Sequence, residues 1–228
     1  MRPLDIEHPA LSFDEDRYGA AAQRMVHRQL RSRGIADPRT LAAMRAVPRH
    51  RFVAEHLRPE AYDDRALPTL SGQTISQPYI VALMTELLDA RPDHLVLEVG
   101  AGSGYQAAVL SLLARTVITI ERYGDLAAGA EAALRDLGIA NVQLIVGDGT
   151  LGLPDRAPFH RILVAAAAPR APQPLLDQLA DPGRLVIPIG PRDSQALRVF
   201  DKHDGVITQR DSIPCRFVPL IGEHAWRK

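Results

Sequence analysis

Apolar and polar positions divide this chain into two unlike parts. From Ala20 to Arg33 apolar residues recur at helical spacing, and Gly34 supplies the stop. Asp37-Pro38 opens a second helix through Val47, with Asp as the N-cap and Pro at the first helical position, where its missing N–H has no partner to lose. Residues 58–77 are rich in turn formers and show no period. A helix from Pro78 to Asp89 follows, burying Ile80, Val81, Met84, Leu87 and Leu88. The pattern then changes. Strands are expected at 94–99, 116–121, 142–147, 161–166 and 184–189, with helices at 103–114, 125–137 and 172–180. That alternation belongs to an α/β fold, a mostly parallel sheet with helices on both faces. Residues 195–213 read as a hairpin turned at His203-Asp204-Gly205, because Asp-Gly suits a tight turn. Residues 1–19, acidic at Asp14-Glu15-Asp16, have no clear period and read as a loose leader.

The first of these strands ends in chemistry. Leu95-Val96-Leu97 runs through Glu98-Val99 into Gly100-Ala101-Gly102-Ser103-Gly104. Glycine lets the backbone make a strand-to-helix turn and leaves no Cβ between the main chain and a ligand. Glu121 closes the second strand, 23 residues after Glu98, where an acid can accept hydrogen bonds from both ribose hydroxyls of a nucleoside. Tyr105 stands where a dinucleotide fingerprint needs its third glycine, which argues for a nucleoside without a pyrophosphate. S-adenosylmethionine fits: adenosine for Glu121, a sulfonium near the glycines, and an amino-acid tail. A glycine turn by itself also serves packing alone; Glu121 is what favours the ligand. Asp148, between Gly147 and Gly149, ends a third strand, and either contacts the adenine edge or makes an Asx-type turn bond. A buried unpaired carboxylate is costly, so Glu98, Glu121 and Asp148 are expected to converge beyond the carboxyl ends of the strands.

Composition narrows the class. The 228 residues suit one α/β domain, and the formal net charge is zero. No basic tract suggests nucleic acid, and Arg24, Arg28 and Arg31, on one helical face, read as solvated. The single Cys215 excludes an internal disulfide and a multi-cysteine zinc site, and no metal is expected. No apolar run has membrane-spanning length, and Met1-Arg2-Pro3-Leu4-Asp5 lacks a signal-peptide core, so the cytoplasm is the expected location.

A second group of polar residues precedes the helix at Pro78. Ser76, in Gly72-Gln73-Thr74-Ile75-Ser76-Gln77-Pro78, reads either as a helix cap or as a hydroxyl donor to a substrate oxygen. A nucleophilic role is disfavoured, since no G-x-S-x-G elbow surrounds it. His50 is a candidate base, with a structural role the plainer reading.

Val47-Pro48-Arg49-His50, Ala61-Tyr62, Gly72–Pro78, Met84-Thr85-Glu86-Leu87-Leu88, Gly100–Ala107 and Phe217-Val218-Pro219-Leu220-Ile221-Gly222 together resemble the protein-L-isoaspartate O-methyltransferase family, in its order, from about residue 24 to Trp226. Thr74-Ile75-Ser76-Gln77-Pro78 is the specific block, because other methyltransferases share only the glycine turn. The resemblance implies a Rossmann-like S-adenosylmethionine-dependent methyltransferase fold and methyl transfer to the α-carboxylate of L-isoaspartyl residues, starting repair through a succinimide. It implies Ser76 as the catalytic residue. Cofactor contacts would fall to Thr74, Glu98, Gly100, Gly102, Gly104, Glu121, Asp148 and Gly149. Gln77, Val218, Pro219 and Leu220 would hold the peptide. The expected organisation is a leader over 1–19 and one domain over 20–228: a helical and loop part at 20–90, a cofactor-binding core at 91–190, and a hairpin with the substrate wall at 191–228. The partners implied are isoaspartyl proteins and peptides, with no nucleic acid or membrane, and the chain is expected as a monomer. His160 and Ala165 depart from the family's usual Asp and Thr, the first bearing on local hydrogen bonding, the second on activity or substrate preference. Two other readings remain: a tailoring enzyme esterifying an aspartate of a dedicated precursor peptide, and a non-catalytic cofactor-binding protein.

Overall fold

A computed structural model describes residues 15–227 of the chain. Strands β3 (Leu95–Val99), β4 (Thr116–Glu121), β5 (Val142–Val146), β6 (Phe159–Val164), β7 (Leu179–Ile189), β8 (Gln195–His203) and β9 (Val206–Cys215) form one seven-stranded sheet in the order β5-β4-β3-β6-β7-β8-β9. The first five are mutually parallel, and β8 and β9 add antiparallel at one edge. Winding reverses between β3 and β6, so their carboxyl ends border the crevice in which such sheets bind ligands. The strands beside it are largely apolar because both faces are covered: Val96, Leu97, Val117, Ile118, Ile162 and Leu163 are all inaccessible to solvent.

Alternation sends successive side chains to different layers. Val96, Val117, Leu163 and Val186 pack beneath the N-terminal helices and the helices α3 (Pro78–Leu88), α4 (Tyr105–Ser111) and α5 (Gly124–Asp136). Leu97, Val99, Ile118, Ile120 and Ile162 face the other layer with Leu175 of α6 (Gln173–Asp177) and Leu220 of the C-terminal segment. Of the residues expected on the buried side of α3, Val81, Met84 and Leu88 are buried and Ile80 and Leu87 are half-buried against them.

The N-terminal part departs from expectation in its first helix. That helix, α1, spans Glu15–Met25, so residues 15–19 belong to it and not to a loose leader; residues 1–14 lie outside the described residues. The helical stretch continues as a wider π turn, Val26–Leu30, and a tight 3₁₀ turn, Arg31–Arg33, before Gly34 stops it at φ 95°. Arg24, Arg28 and Arg31 are solvent-exposed, as expected. Helix α2 (Pro38–Ala46) starts as read, with Asp37 accepting from the Arg39 and Thr40 amides. In the turn-rich stretch two short strands, β1 (Leu67–Pro68) and β2 (Thr74–Ile75), pair antiparallel and lead into α3.

Strand β7 begins at Leu179, five residues before the expected 184, and takes the end of the expected helix, which stops at Asp177. The hairpin turn has both Asp204 and Gly205 at positive φ (50° and 75°), the twist that suits two strands joined by two residues. Asp181 pins it by accepting from both amides, at 3.0 and 2.6 Å.

Candidate active site

The glycine turn closes the end of β3. Gly100 and Gly102 hold φ of 93° and 53°, and Gly100 N–H donates to the Ile120 carbonyl at 2.8 Å, continuing the β3–β4 ladder into the turn. Both line a cavity beyond the strand ends, floored by Val99 and Ile120. Glu121, the last residue of β4, also faces it and is nearly buried. One of its oxygens accepts from Gly102 N–H at 2.9 Å and the other from Arg122 and Tyr123 N–H at 2.8 and 3.0 Å. The acid therefore locks the turn, and of its roughly four lone-pair sites about one, on the oxygen that Gly102 holds, is left for a further hydroxyl. Gly149 completes the rim; a Cβ there would stand 2.4 Å from a Val99 methyl carbon, so only glycine admits this approach.

Three expected cofactor residues lie elsewhere. Gly104 is the left-handed N-cap of α4, and its Cα lies against Ala130 of α5, where a Cβ would come within 3.1 Å of that side chain. Its role is helix packing. Glu98 is wholly buried and does not line the cavity. It pairs in register with Thr119, whose hydroxyl donates to it at 2.5 Å, two residues inside the sheet from Glu121. Two residues of strand span about 6.6 Å, which keeps the carboxyl short of the crevice. Burial pushes its pKa up, against the Thr119 hydrogen bond and with help from Glu121, to about 8. Asp148 is also outside the lining and makes the turn bonds that were its alternative reading: Thr150 N–H and hydroxyl donate to one oxygen at 2.9 and 2.7 Å, and Glu223 N–H to the other at 2.8 Å. Partial burial raises its pKa, but those hydrogen bonds prevail and hold it below the usual carboxylate range.

Asp148 thereby anchors a strap that the sequence did not reveal as such. Residues 218–226 cross the cavity: Val218 C=O accepts from Ala167 N–H at 2.8 Å, Leu220 N–H donates to Ala167 C=O at 2.7 Å, and Arg122 donates to Ile221 C=O at 2.5 Å. Gly222 allows the crossing, since a Cβ there would lie 2.1 Å from the Asp148 carboxylate. Val218, Pro219 and Leu220 line this cavity, and of the three Leu220 does not reach the second cavity described below.

The opposite wall is the segment entering α3. Thr74 and Ser76 face the cavity, and with Ala165, Val218 and Pro219 they also line a second cavity next to it, of about 700 Å³. Gln77 belongs to the second cavity only, its amide donating to Asp64 at 2.8 Å and to the Asp64 carbonyl at 3.0 Å. Ser76 is not a cap: the N-cap of α3 is Gln77, without a side-chain capping bond, and the Ser76 hydroxyl bonds to no described residue. Its carbonyl is held instead, by the guanidinium of Arg49 at 2.6 Å. Arg49 is fully buried, donates also to Ala61 C=O at 2.7 Å, lies over the Tyr105 ring and has no carboxylate partner among the described residues. The sequence placed Arg49 only within a motif; nothing in its spacing shows that it grips Ser76.

His50 faces neither cavity. It is buried, stacks on Tyr18 with ring centroids 4.0 Å apart and shares a 2.9 Å hydrogen bond with the Tyr62 hydroxyl, which is the structural role. His160 accepts from Leu95 N–H at 3.1 Å at the far end of the strands, as a local hydrogen bond. No histidine lines either cavity among the described residues, and no helix there is long and apolar enough to cross a membrane.

A glycine-lined cavity at the switch point of a doubly wound sheet, bordered by an acid at the second strand's end, defines a nucleoside-binding α/β protein whose second cavity opens beside the Ser76 hydroxyl. The class narrows by comparison. Residues 21–225 match the model of the protein-L-isoaspartate(D-aspartate) O-methyltransferase family, and the chain belongs to that family. A protein-L-isoaspartate O-methyltransferase of Methanoregula boonei is 55% identical over 205 residues, covering 90% of this chain and 94% of that one. One from Roseiflexus castenholzii is 56% identical over 194 residues, covering 85% and 89%. A solved Plasmodium falciparum protein described as a putative member, in complex with S-adenosyl-L-homocysteine, superposes with a TM-score of 0.77 at 26% identity, covering 91% of this chain and 99% of that one.

Proposed function

We propose that this protein methylates the free α-carboxylate of L-isoaspartyl residues in damaged proteins and peptides, with S-adenosylmethionine as donor. The residues present suit that cofactor: Glu121 for the ribose, Gly100, Gly102 and Gly149 for close backbone approach, and Thr74 on the facing wall. S-adenosylmethionine supplies a methyl carbon whose bond to the sulfonium sulfur breaks as the ester bond to a carboxylate oxygen forms, leaving S-adenosylhomocysteine. The protein need not remove a proton, because a carboxyl group of pKa about 4 is already ionised at neutral pH. Its task is alignment, a contribution that reaches roughly 7–11 kcal/mol in favourable systems. Ser76 donates its hydroxyl to one carboxylate oxygen and leaves the other directed at the cofactor cavity; Arg49 fixes the loop that carries it. Gln77, Val218 and Pro219 bound the peptide side, whereas Leu220 lines the cofactor cavity alone.

The observation that carries this reading is the Ser76 hydroxyl, unpaired among the described residues, at the junction of the two cavities. Its test is methyl-labelled cofactor offered with paired aspartyl and isoaspartyl peptides of unrelated sequence. Base-labile label is expected on the isoaspartyl members of all pairs. Label on both members, or on one peptide sequence alone, would overturn it. Part of the same reading is one catalytic unit that includes all of α1, working as a cytoplasmic monomer; light scattering of the eluted protein checks the last point.

A further inference from the structure

We infer that the second cavity selects isoaspartyl peptides with acidic side chains flanking the damaged residue, and that Arg192 and Arg216 are the specificity-determining residues. The inference rests on the methyl-transfer reading above and adds to it the charge of the preferred substrate. Four arginines line this cavity, Arg33, Arg65, Arg192 and Arg216, against one carboxylate, Asp64. The chain as a whole has a formal net charge of zero, so this excess does not follow from a basic composition.

The four are not equivalent. Arg33 pairs with Asp64 at 3.0 Å and lies over the Tyr79 ring, 3.6 Å from its centre. Arg65 pairs with Glu60 and, at 3.8 Å, with Asp63. Arg192, in the turn between β7 and β8, donates to the Arg227 carbonyl at 3.2 Å and lies 5.0 Å from the Trp226 ring, but has no carboxylate partner among the described residues. Asp193, its neighbour in the chain, does not line the cavity. Arg216, just beyond β9 and two residues before Val218, is exposed, and its side chain bonds to no described residue. Two matched cations thus shape the cavity, and two unmatched ones remain for whatever enters it. A peptide held with its isoaspartyl carboxylate at Ser76 must run past the same walls, because Ser76, Val218 and Arg216 share this cavity. Glutamate or aspartate side chains in that peptide would complete the two open pairs, and lysine would meet like charge.

The test uses three isoaspartyl peptides identical except for Glu, Gln or Lys on both sides of the damaged residue. Initial rates at low salt should give KM values rising from Glu to Gln to Lys, by roughly two- to five-fold per flanking charge, the range of exposed ion pairs, with kcat little changed. The spread should contract at about 0.5 M salt. In the Arg192→Gln/Arg216→Gln double variant the ratio between Glu and Gln peptides should fall towards unity, whereas Arg65→Gln, whose cation is already matched, should preserve it. Equal KM values for the three peptides in the wild type, or a charge preference that survives in the double variant, would overturn the inference. Should the double variant be poorly folded, the single variants Arg192→Gln and Arg216→Gln are each required to reduce the ratio. Failure to methylate even the Gln peptide would instead count against the methyl-transfer reading.

Discussion

Glu98 is a carboxyl group held inside the sheet, and its pH dependence can be worked through. It is fully enclosed, and among the described residues one oxygen has no hydrogen-bond partner and the other has the Thr119 hydroxyl alone, at 2.5 Å. Burial, opposed by Thr119 and reinforced by Glu121, lifts its pKa from 4.5 to about 8. A raised folded-state pKa means that the folded protein keeps a proton which the unfolded chain releases. The stability linked to that proton is whole below the unfolded value of 4.5 and is lost as pH rises towards about 8. Within that window each pH unit removes about 1.4 kcal/mol, so about 3 kcal/mol disappears between about pH 5 and about pH 7.5. Glu98→Gln keeps the shape and abolishes the titration. Its absolute stability depends on how the new amide is received, so the informative quantity is a slope. Urea unfolding of both proteins without cofactor should show the variant gaining about 3 kcal/mol relative to wild type across that range. Stability curves that run parallel with pH would refute the reasoning, since Glu98 would then carry the same charge in the folded and unfolded states.

Four further outcomes are expected. Ser76→Ala should lower kcat about ten-fold or more in steady-state assays while calorimetric affinity for S-adenosylhomocysteine stays within about two-fold; equal losses in both would indicate a structural role. Glu121→Gln removes the charged acceptor that grips the glycine turn, and should weaken cofactor affinity by roughly 10- to 100-fold, measured by the same titration. Gly222→Ala places a Cβ 2.1 Å from the Asp148 carboxylate and 2.6 Å from Thr150, so the strap must shift; denaturant unfolding should show a loss of about 2 kcal/mol, with weaker cofactor binding. Arg49→Met strands the Ala61 and Ser76 carbonyls, at about 1–3 kcal/mol each, and should lower both the melting temperature and kcat, with Arg49→Lys recovering part of each.

Strand β4 was legible to the residue, because Thr116–Ile120 is an unbroken run of β-branched residues covered on both faces and closed by Glu121. The α2 cap and the Asp204-Gly205 turn were equally legible, since each depends on residues adjacent in sequence. Strand β7 was harder: Leu179–Gly183 carries Asp181 and Pro182, which locally oppose a strand, and is drawn in by pairing with β6 and β8. The first helix was read short for a similar reason, because polar Glu15–Gly19 shows no apolar period of its own.

Local patterns by themselves determined the alternating architecture, the glycine turn, the acid at the end of β4 and the Thr74–Pro78 block, because each is written in neighbouring residues. Only the tertiary structure decided which acids reach the crevice. Glu98 and Glu121 look alike in sequence, yet the β3–β4 register sets Glu98 opposite Thr119, inside the sheet, and leaves Glu121 at its rim. It also decided that Asp148 holds the C-terminal strap, and that Arg49, 27 residues away in the chain, grips Ser76. Those relations depend on strand register and on contacts between distant segments, and no periodicity along one segment encodes the distance to another.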